Sequence, residues 1–256
     1  MDDILSGERA PVNVIFLGAT RGMGRAMARE MAKRGAKMFL LGRNVENLAK
    51  SAGDLEARGA QGTVGHAHCD LEDTSTFGPA LAAAIQEMGP PNVVVVTAGM
   101  FGTQEALEND LELARRVLTV NYANTVVFCE HAKTLLLKQG GGKLVVFSSV
   151  AGDRGRKPVG LYGSSKAGLS HYLESLDHKY RSKGLITVCV KPGFVKTEMT
   201  AGLKPPPFSG EPEEVAKIVM SAMNRDAPVV YAPKMWALVM LVIRLLPRFI
   251  MRRVGF

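Results

Sequence analysis

Two stretches near the middle of the chain, Val93-Val94-Val95-Val96 and Leu144-Val145-Val146-Phe147, contain no polar residue. A strand with one wet face alternates polar and apolar side chains, whereas an uninterrupted apolar run is buried on both faces. Such strands belong to a parallel sheet with helices packed above and below it. The rest of the chain fits this reading. Strands are predicted at about 12–17, 37–41, 63–68, 92–97, 143–148, 186–191 and 228–231. Helical patterns fall between them at about 22–34, 44–58, 74–88, 104–118, 122–139, 162–183 and 212–224. A chain of 256 residues is long enough for one such domain with a large core. The domain is expected to cover 1–232, with an apolar and basic helical extension at 233–256.

The first strand, Val12-Asn13-Val14-Ile15-Phe16-Leu17, runs directly into Gly18-Ala19-Thr20-Arg21-Gly22-Met23-Gly24, and a helical pattern then continues to Arg34 and stops at Gly35. Strand, glycine-rich turn and helix are the setting of a dinucleotide site. Glycines let the backbone approach a pyrophosphate, and the helix N-terminus offers free amides at its positive end. Gly18, Thr20, Arg21, Gly22, Met23 and Gly24 are therefore candidate cofactor contacts. The spacing is Gly-x-x-x-Gly-x-Gly. The expected architecture is a Rossmann-type, doubly wound, seven-stranded parallel sheet with its ligand across the carboxyl ends of the strands.

Cofactor choice turns on the end of the second strand, Leu40-Leu41-Gly42-Arg43-Asn44. An NAD-preferring site usually places a carboxylate there for the ribose 2′-hydroxyl. Here Arg43 stands instead, and Arg21 adds a second guanidinium within reach of a 2′-phosphate. The reading is NADP(H).

Tyr162 and Lys166 are just over one helical turn apart, so their side chains share a face. A free phenol, with a pKa near ~10, is a poor acid or base at neutral pH. A fixed ammonium nearby favours phenolate and makes the tyrosine a usable proton carrier. Ser149, thirteen residues upstream of Tyr162, is placed to hold a substrate oxygen. The alternative is a tyrosine and a lysine on an ordinary amphipathic helix.

Together these elements resemble the short-chain dehydrogenase/reductase family over nearly the whole chain. The family's glycine motif matches Gly18, Gly22 and Gly24. Its adenine-side acid matches Asp70, next to Leu71. Its helix asparagine matches Asn121, its catalytic serine Ser149, and its Tyr-Lys pair Tyr162 and Lys166. The turn bordering the nicotinamide matches Pro192, Gly193, Val195 and Thr197. Two positions depart from the pattern. Leu17 stands where a threonine often precedes the first glycine, and Thr97-Ala98-Gly99 replaces the usual Asn-Ala-Gly, so local bracing of the sheet is expected to differ there. The resemblance implies reduction of a ketone, with Ser149 and Tyr162 on the carbonyl oxygen and Tyr162 giving the proton. Lys166 would hold the nicotinamide ribose, and Asn121 would help hold Lys166 and a relay water. It also implies a homo-oligomer, with helices near 104–139 and 162–183 as the expected interface.

The C-terminal third points to the substrate. The loop 197–211 carries Pro205-Pro206-Pro207 and is expected to form a stiff, extended rim. Met235 to Ile243 is apolar without interruption, too short for a span of about 20 residues. Arg244, Arg248 and Arg252 follow at four-residue spacing, and no acidic residue occurs after Asp226. This reads as an interfacial segment on an anionic membrane, broken or kinked at Pro247. Packing on a partner subunit or over the active-site mouth is the competing reading. The loop and tail are similar to those of bacterial decaprenylphosphoryl-2-keto-ribose reductases, which implies a lipid-linked keto-sugar substrate, with Arg154, Arg156 and Lys157 near its phosphate. The alternatives are another hydrophobic ketone (a 3-keto-sphingoid base, a steroid or a long-chain acyl compound) or a non-catalytic NADP(H) sensor.

A net charge of +8 would also suit nucleic acid, but no aromatic-basic surface motif supports that partner. Cys69, Cys129 and Cys189 suit neither a disulfide framework nor a zinc site and are expected as buried thiols. His66 and His68 lack the further ligands a metal would need. Met1-Asp2-Asp3 opens neither basic nor apolar, so no signal peptide is expected. The expected location is the cytoplasm, with contact to the inner face of the membrane.

Overall fold

In a computed structural model, which describes residues 12–255, the apolar runs become the interior of one sheet. The strands are β1 (Asn13–Leu17), β2 (Lys37–Gly42), β3 (Gly65–His68), β4 (Val93–Val96), β5 (Gly142–Phe147), β6 (Leu185–Pro192) and β7 (Val229–Ala232). They pair in parallel throughout, in the order β3-β2-β1-β4-β5-β6-β7. Every side chain of β4 is buried, as a strand covered on both faces requires. One α/β domain with this doubly wound sheet is what the sequence predicts.

The helices lie in two layers. On one face α1 (Gly22–Ala32), α2 (Val45–Ala57) and α8 (Pro212–Asn224) cover Val14, Phe16, Leu40, Val95, Val145 and Val190. On the other, α3 (Phe77–Met88), α6 (Thr125–Lys138) and α7 (Gly160–Tyr180) cover Ile15, Phe39, Val94, Val96, Leu144 and Cys189. The strand order reverses direction between β1 and β4, so a crevice opens beyond their carboxyl ends.

Three predicted elements differ in detail. The helix expected at 104–118 is two helices, α4 (Gln104–Asn109) and α5 (Leu111–Leu118). Asp110 takes an extended conformation between them and caps the second by accepting from the Leu113 amide at 2.9 Å. The helix expected from 122 begins as a π-helical turn over Thr119–Asn124 and becomes regular only in α6. The C-terminal segment forms α9 (Met235–Leu245) and a short α10 (Arg248–Met251), with Leu246 and Pro247 extended between them. Pro247 thus breaks the helix as expected, and Arg244, Arg248 and Arg252 do not share one continuous helical face.

Candidate active site

The crevice beyond β1, β2 and β4 is a cleft of about 890 Å³. Its floor is the turn after β1. Gly18 has φ +100°, and a Cβ there would lie 2.6 Å from the Ala98 amide nitrogen. A Cβ on Gly24 would lie 2.1 Å from the Gly18 carbonyl oxygen, so only glycine permits this tight crossing of turn and helix. Arg21, the N-cap of α1, makes no side-chain cap bond, and the first turn of α1 carries no acidic residue. The leading amides of α1 therefore face the cleft as an anion site. Thr97 holds the turn from β4: its hydroxyl donates to the Gly18 carbonyl at 2.9 Å and the Leu17 carbonyl at 3.3 Å. The threonine that replaces the usual asparagine thus braces the site directly.

Thr20, Arg21, Gly22, Met23, Arg43, Asp70, Leu71, Ala98, Gly99 and Thr197 all line this cleft. Asp70 accepts from the Glu72 amide at 2.9 Å, which fixes its carboxylate at the rim. Arg21 pairs with Glu198 at 3.1 Å, and both side chains are exposed. Glu72 is a residue the sequence reading missed. It lies 4.0 Å from Arg43 and takes a two-point ion pair from Arg116 at 2.8 and 3.1 Å. A carboxylate therefore reaches Arg43 from the loop after β3, not from the end of β2. Its signal in the sequence was only its place two residues beyond Asp70.

Pro192, Gly193 and Val195 stand elsewhere. Val195 is 3% exposed and packs into the core, and Gly193 is covered by the indole of Trp236. A Cβ on Gly193 would come within 2.1 Å of that ring. Of the turn matched to the nicotinamide, Thr197 alone lines the cleft.

Beside the cleft, Ser149, Tyr162, Lys166 and Asn121 come together from three elements, the turn after β5, α7 and the π-helical turn. Gly99 is the meeting point: a Cβ on it would lie 3.0 Å from Asn121 Oδ1 and 3.7 Å from Lys166 Nζ. Phe101 packs edge-on against Tyr162 with ring centroids 5.1 Å apart. Lys166 Nζ sits 5.9 Å from the centre of the Tyr162 ring and donates to the Phe147 carbonyl at 3.0 Å. Ser148, also missed from sequence, pins α7 to the end of β5 through a bond to the Lys166 carbonyl at 2.9 Å.

Burial dominates the electrostatics here. It pushes the Tyr162 hydroxyl up to about 12, and a hydrogen bond from Ser149 offsets only part of that. It pulls Lys166 down to about 8. The shift of Tyr162 thus runs opposite to the expected lowering by the lysine, because desolvation is its largest cause. At neutral pH Tyr162 is held as the proton-bearing phenol. Asn121 also differs from expectation. Both ends of its amide are spent on Met100, Oδ1 accepting from the Met100 amide and Nδ2 donating to its carbonyl, each at 2.7 Å. The side chain holds the strand-end loop rather than Lys166.

Arg154 donates to the Leu246 carbonyl at 2.9 Å and Lys157 to the Arg252 carbonyl at 2.7 Å. Both fasten the C-terminal segment instead of lying free for a phosphate. Arg156 Nε is buried without a partner among the described residues. The cysteines are buried thiols, as expected.

A family model described as short chain dehydrogenase matches residues 12–207. An uncharacterised oxidoreductase of Mycobacterium tuberculosis is 37% identical over 242 residues, covering 94% of this chain and 96% of its own. Carbonyl reductase family member 4 of Xenopus tropicalis is 28% identical over 211 residues, covering 79% and 87%. Among solved structures, a short-chain dehydrogenase from Sphingobium yanoikuyae in complex with NADPH superposes with a TM-score of 0.78 at 22% identity, covering 87% of this chain and 88% of that one.

Proposed function

The chain belongs to the short-chain dehydrogenase/reductase family and is an oxidoreductase, and we propose that it reduces a ketone to a secondary alcohol with NADPH. The observation that carries this reading is Tyr162, a part-buried phenol gathered with Ser149 and Lys166 at the edge of a glycine-floored cleft.

The residues present fit a dinucleotide phosphate. The uncapped amides of α1 suit a pyrophosphate, Gly18, Gly22 and Gly24 line the cleft with no side chain between backbone and ligand, and Arg21 and Arg43 suit a 2′-phosphate. When bound, this cofactor supplies the hydride. The chain's own residues then do the rest. Ser149 and Tyr162 donate to the carbonyl oxygen and fix its orientation. As negative charge grows on that oxygen, both donors are already in place, and Tyr162 releases its proton to it. Lys166, still largely protonated at pH 7 and 5.9 Å from the centre of the Tyr162 ring, would hold the nicotinamide ribose. A cofactor-binding sensor needs none of this proton machinery. NADPH accompanies the Sphingobium structure, which supports the same cofactor here.

The finer reading is a hydrophobic or lipid-linked ketone, of which a polyprenyl-phosphate keto-sugar is one form. It is supported by the apolar cluster of Val150, Phe194 and Trp236, which follows Ser149 directly in the chain through Val150. A homo-oligomer is supported by Leu111, Leu118, Tyr122 and Val127, which leave an apolar surface exposed on α5, the π turn and α6.

The test is NADPH oxidation with hydrophobic and short soluble ketones, comparing wild type with Tyr162→Phe. Wild type should prefer NADPH to NADH. The variant should bind NADPH normally and lose about 100- to 10,000-fold in turnover. Wild-type turnover by Tyr162→Phe would overturn the assignment.

A further inference from the structure

The helix α9 has two apolar faces with different fates. Trp236, Met240 and Ile243 are buried against Val150 and Phe194, next to Ser149. The opposite face is bare. Leu238, Leu241, Val242 and Leu245, with Phe249 of α10, are between 53% and 75% exposed. Within α9 the spacing of Leu238, Leu241, Val242 and Leu245 is the three-and-four step of one helical stripe, and Phe249 adds an exposed ring on α10 beyond the break at Pro247. Scattered exposed leucines need no explanation, but a continuous stripe of this kind marks a contact surface.

Charge identifies what the stripe contacts. Lys234, Arg244, Arg248, Arg252 and Arg253 flank it and are exposed, and no acidic residue follows Asp226. Among the described residues no carboxylate pairs with any of them. Apolar side chains flanked by long cations match the boundary between acyl chains and anionic headgroups, where arginine and lysine stems lie on apolar surface and their charges reach the phosphates. A second copy of the chain is a poor occupant. A two-fold contact through this face would set its arginines against each other with nothing to neutralise them. No described helix is long and apolar enough to cross a membrane.

We propose that the outer face of α9 and α10 docks the protein on the surface of an anionic lipid bilayer. The docked surface continues toward the loop after β6, because Phe208 (53% exposed) and Met235 line one hollow with Pro233. The inner face of the same helix packs on Val150, the residue after Ser149, and on Phe194, so the docked face and the catalytic serine are joined through one apolar cluster. The docking itself is independent of the ketone assignment, since vesicle binding requires no turnover.

Flotation of the full chain with phospholipid vesicles tests it. Equal mixtures of phosphatidylglycerol and phosphatidylcholine should bind the protein, phosphatidylcholine alone should not, and added salt should weaken the binding. Leu245→Asp and Phe249→Asp should each weaken binding by more than about tenfold, and Arg248→Gln by about fivefold. Melting temperature and NADPH affinity should stay at wild-type values, which separates lost docking from lost folding. Three outcomes overturn the proposal: no binding to anionic vesicles, binding unaffected by all three substitutions, or sedimentation showing that the stripe joins two copies or an acidic protein while vesicles are ignored.

Discussion

Lys166 carries its charge where water is scarce. Its ammonium is 5% exposed as a residue, donates to the Phe147 carbonyl and is held at about 8, against an ordinary value of 10.5. The sign of the linkage follows from that direction. A lysine whose folded value is depressed binds its proton more weakly than in the unfolded chain, so below pH 8 its charge opposes folding. The opposition fades as pH rises from about 8 to 10.5. Thermal melts of the cofactor-free protein should show wild type gaining stability relative to Lys166→Met across that window. The gain should be on the order of 3 kcal/mol, with the other titrating groups cancelling between the two proteins. A difference that does not move with pH would mean the ammonium is solvated. The sequence placed Lys166 and Tyr162 on one face correctly, because helical spacing is a local property. It misjudged the phenol's direction of shift, because the burial that decides it comes from Phe101, Leu107 and Val117, none of them local to Tyr162.

Elements matter here through their ends. β4 finishes at Val96, and the next residue, Thr97, ties it to the turn that opens α1 by bonding the Gly18 carbonyl. That bond crosses the point where the strand order reverses, so it sets the shape of the cleft floor. Thr97→Val keeps the volume and removes the donor, leaving a part-buried carbonyl unsatisfied. It should cost about 1–3 kcal/mol in stability and weaken NADPH binding, while Thr97→Ser should retain both. Denaturant melts and fluorescence titration with NADPH read the two effects. Equal NADPH affinity in Thr97→Val and wild type would show that the turn holds its shape unaided. Strand identity was legible because runs such as 93–96 and 144–147 leave no polar face. The break at Asp110 was not, since a capping aspartate inside a helical pattern changes the path of the chain without changing its periodicity. The π-helical turn around Asn121 was equally hidden. It accompanies an amide that bonds Met100, twenty-one residues away.

At the scale of the whole molecule, the C-terminal segment joins parts that are far apart in the chain. Trp236 covers Gly193, and its indole N–H donates to the Phe208 carbonyl at 3.0 Å. Phe208 belongs to a loop whose base is closed by bonds from the Gly210 amide to Phe194 and from the Lys196 amide to Gly210. Composition alone shows an apolar and basic tail. It cannot show which apolar residues face inward, because the glycine that admits the indole lies 43 positions upstream. Two substitutions separate packing from connection. Trp236→Ala would leave a cavity against Val150 and Phe194 and should cost about 3–5 kcal/mol. Trp236→Phe keeps an aromatic ring over Gly193 but removes the bond to the loop, at about 1 kcal/mol. If the tail and the loop form one wall of the substrate site, Trp236→Phe should raise KM for a hydrophobic ketone several-fold, leaving NADPH affinity unchanged because the cofactor cleft does not include Trp236. Steady-state kinetics with the ketone varied at saturating NADPH measures this. An unchanged KM in a protein that melts as expected would make Trp236 a packing residue alone and detach the tail from substrate recognition.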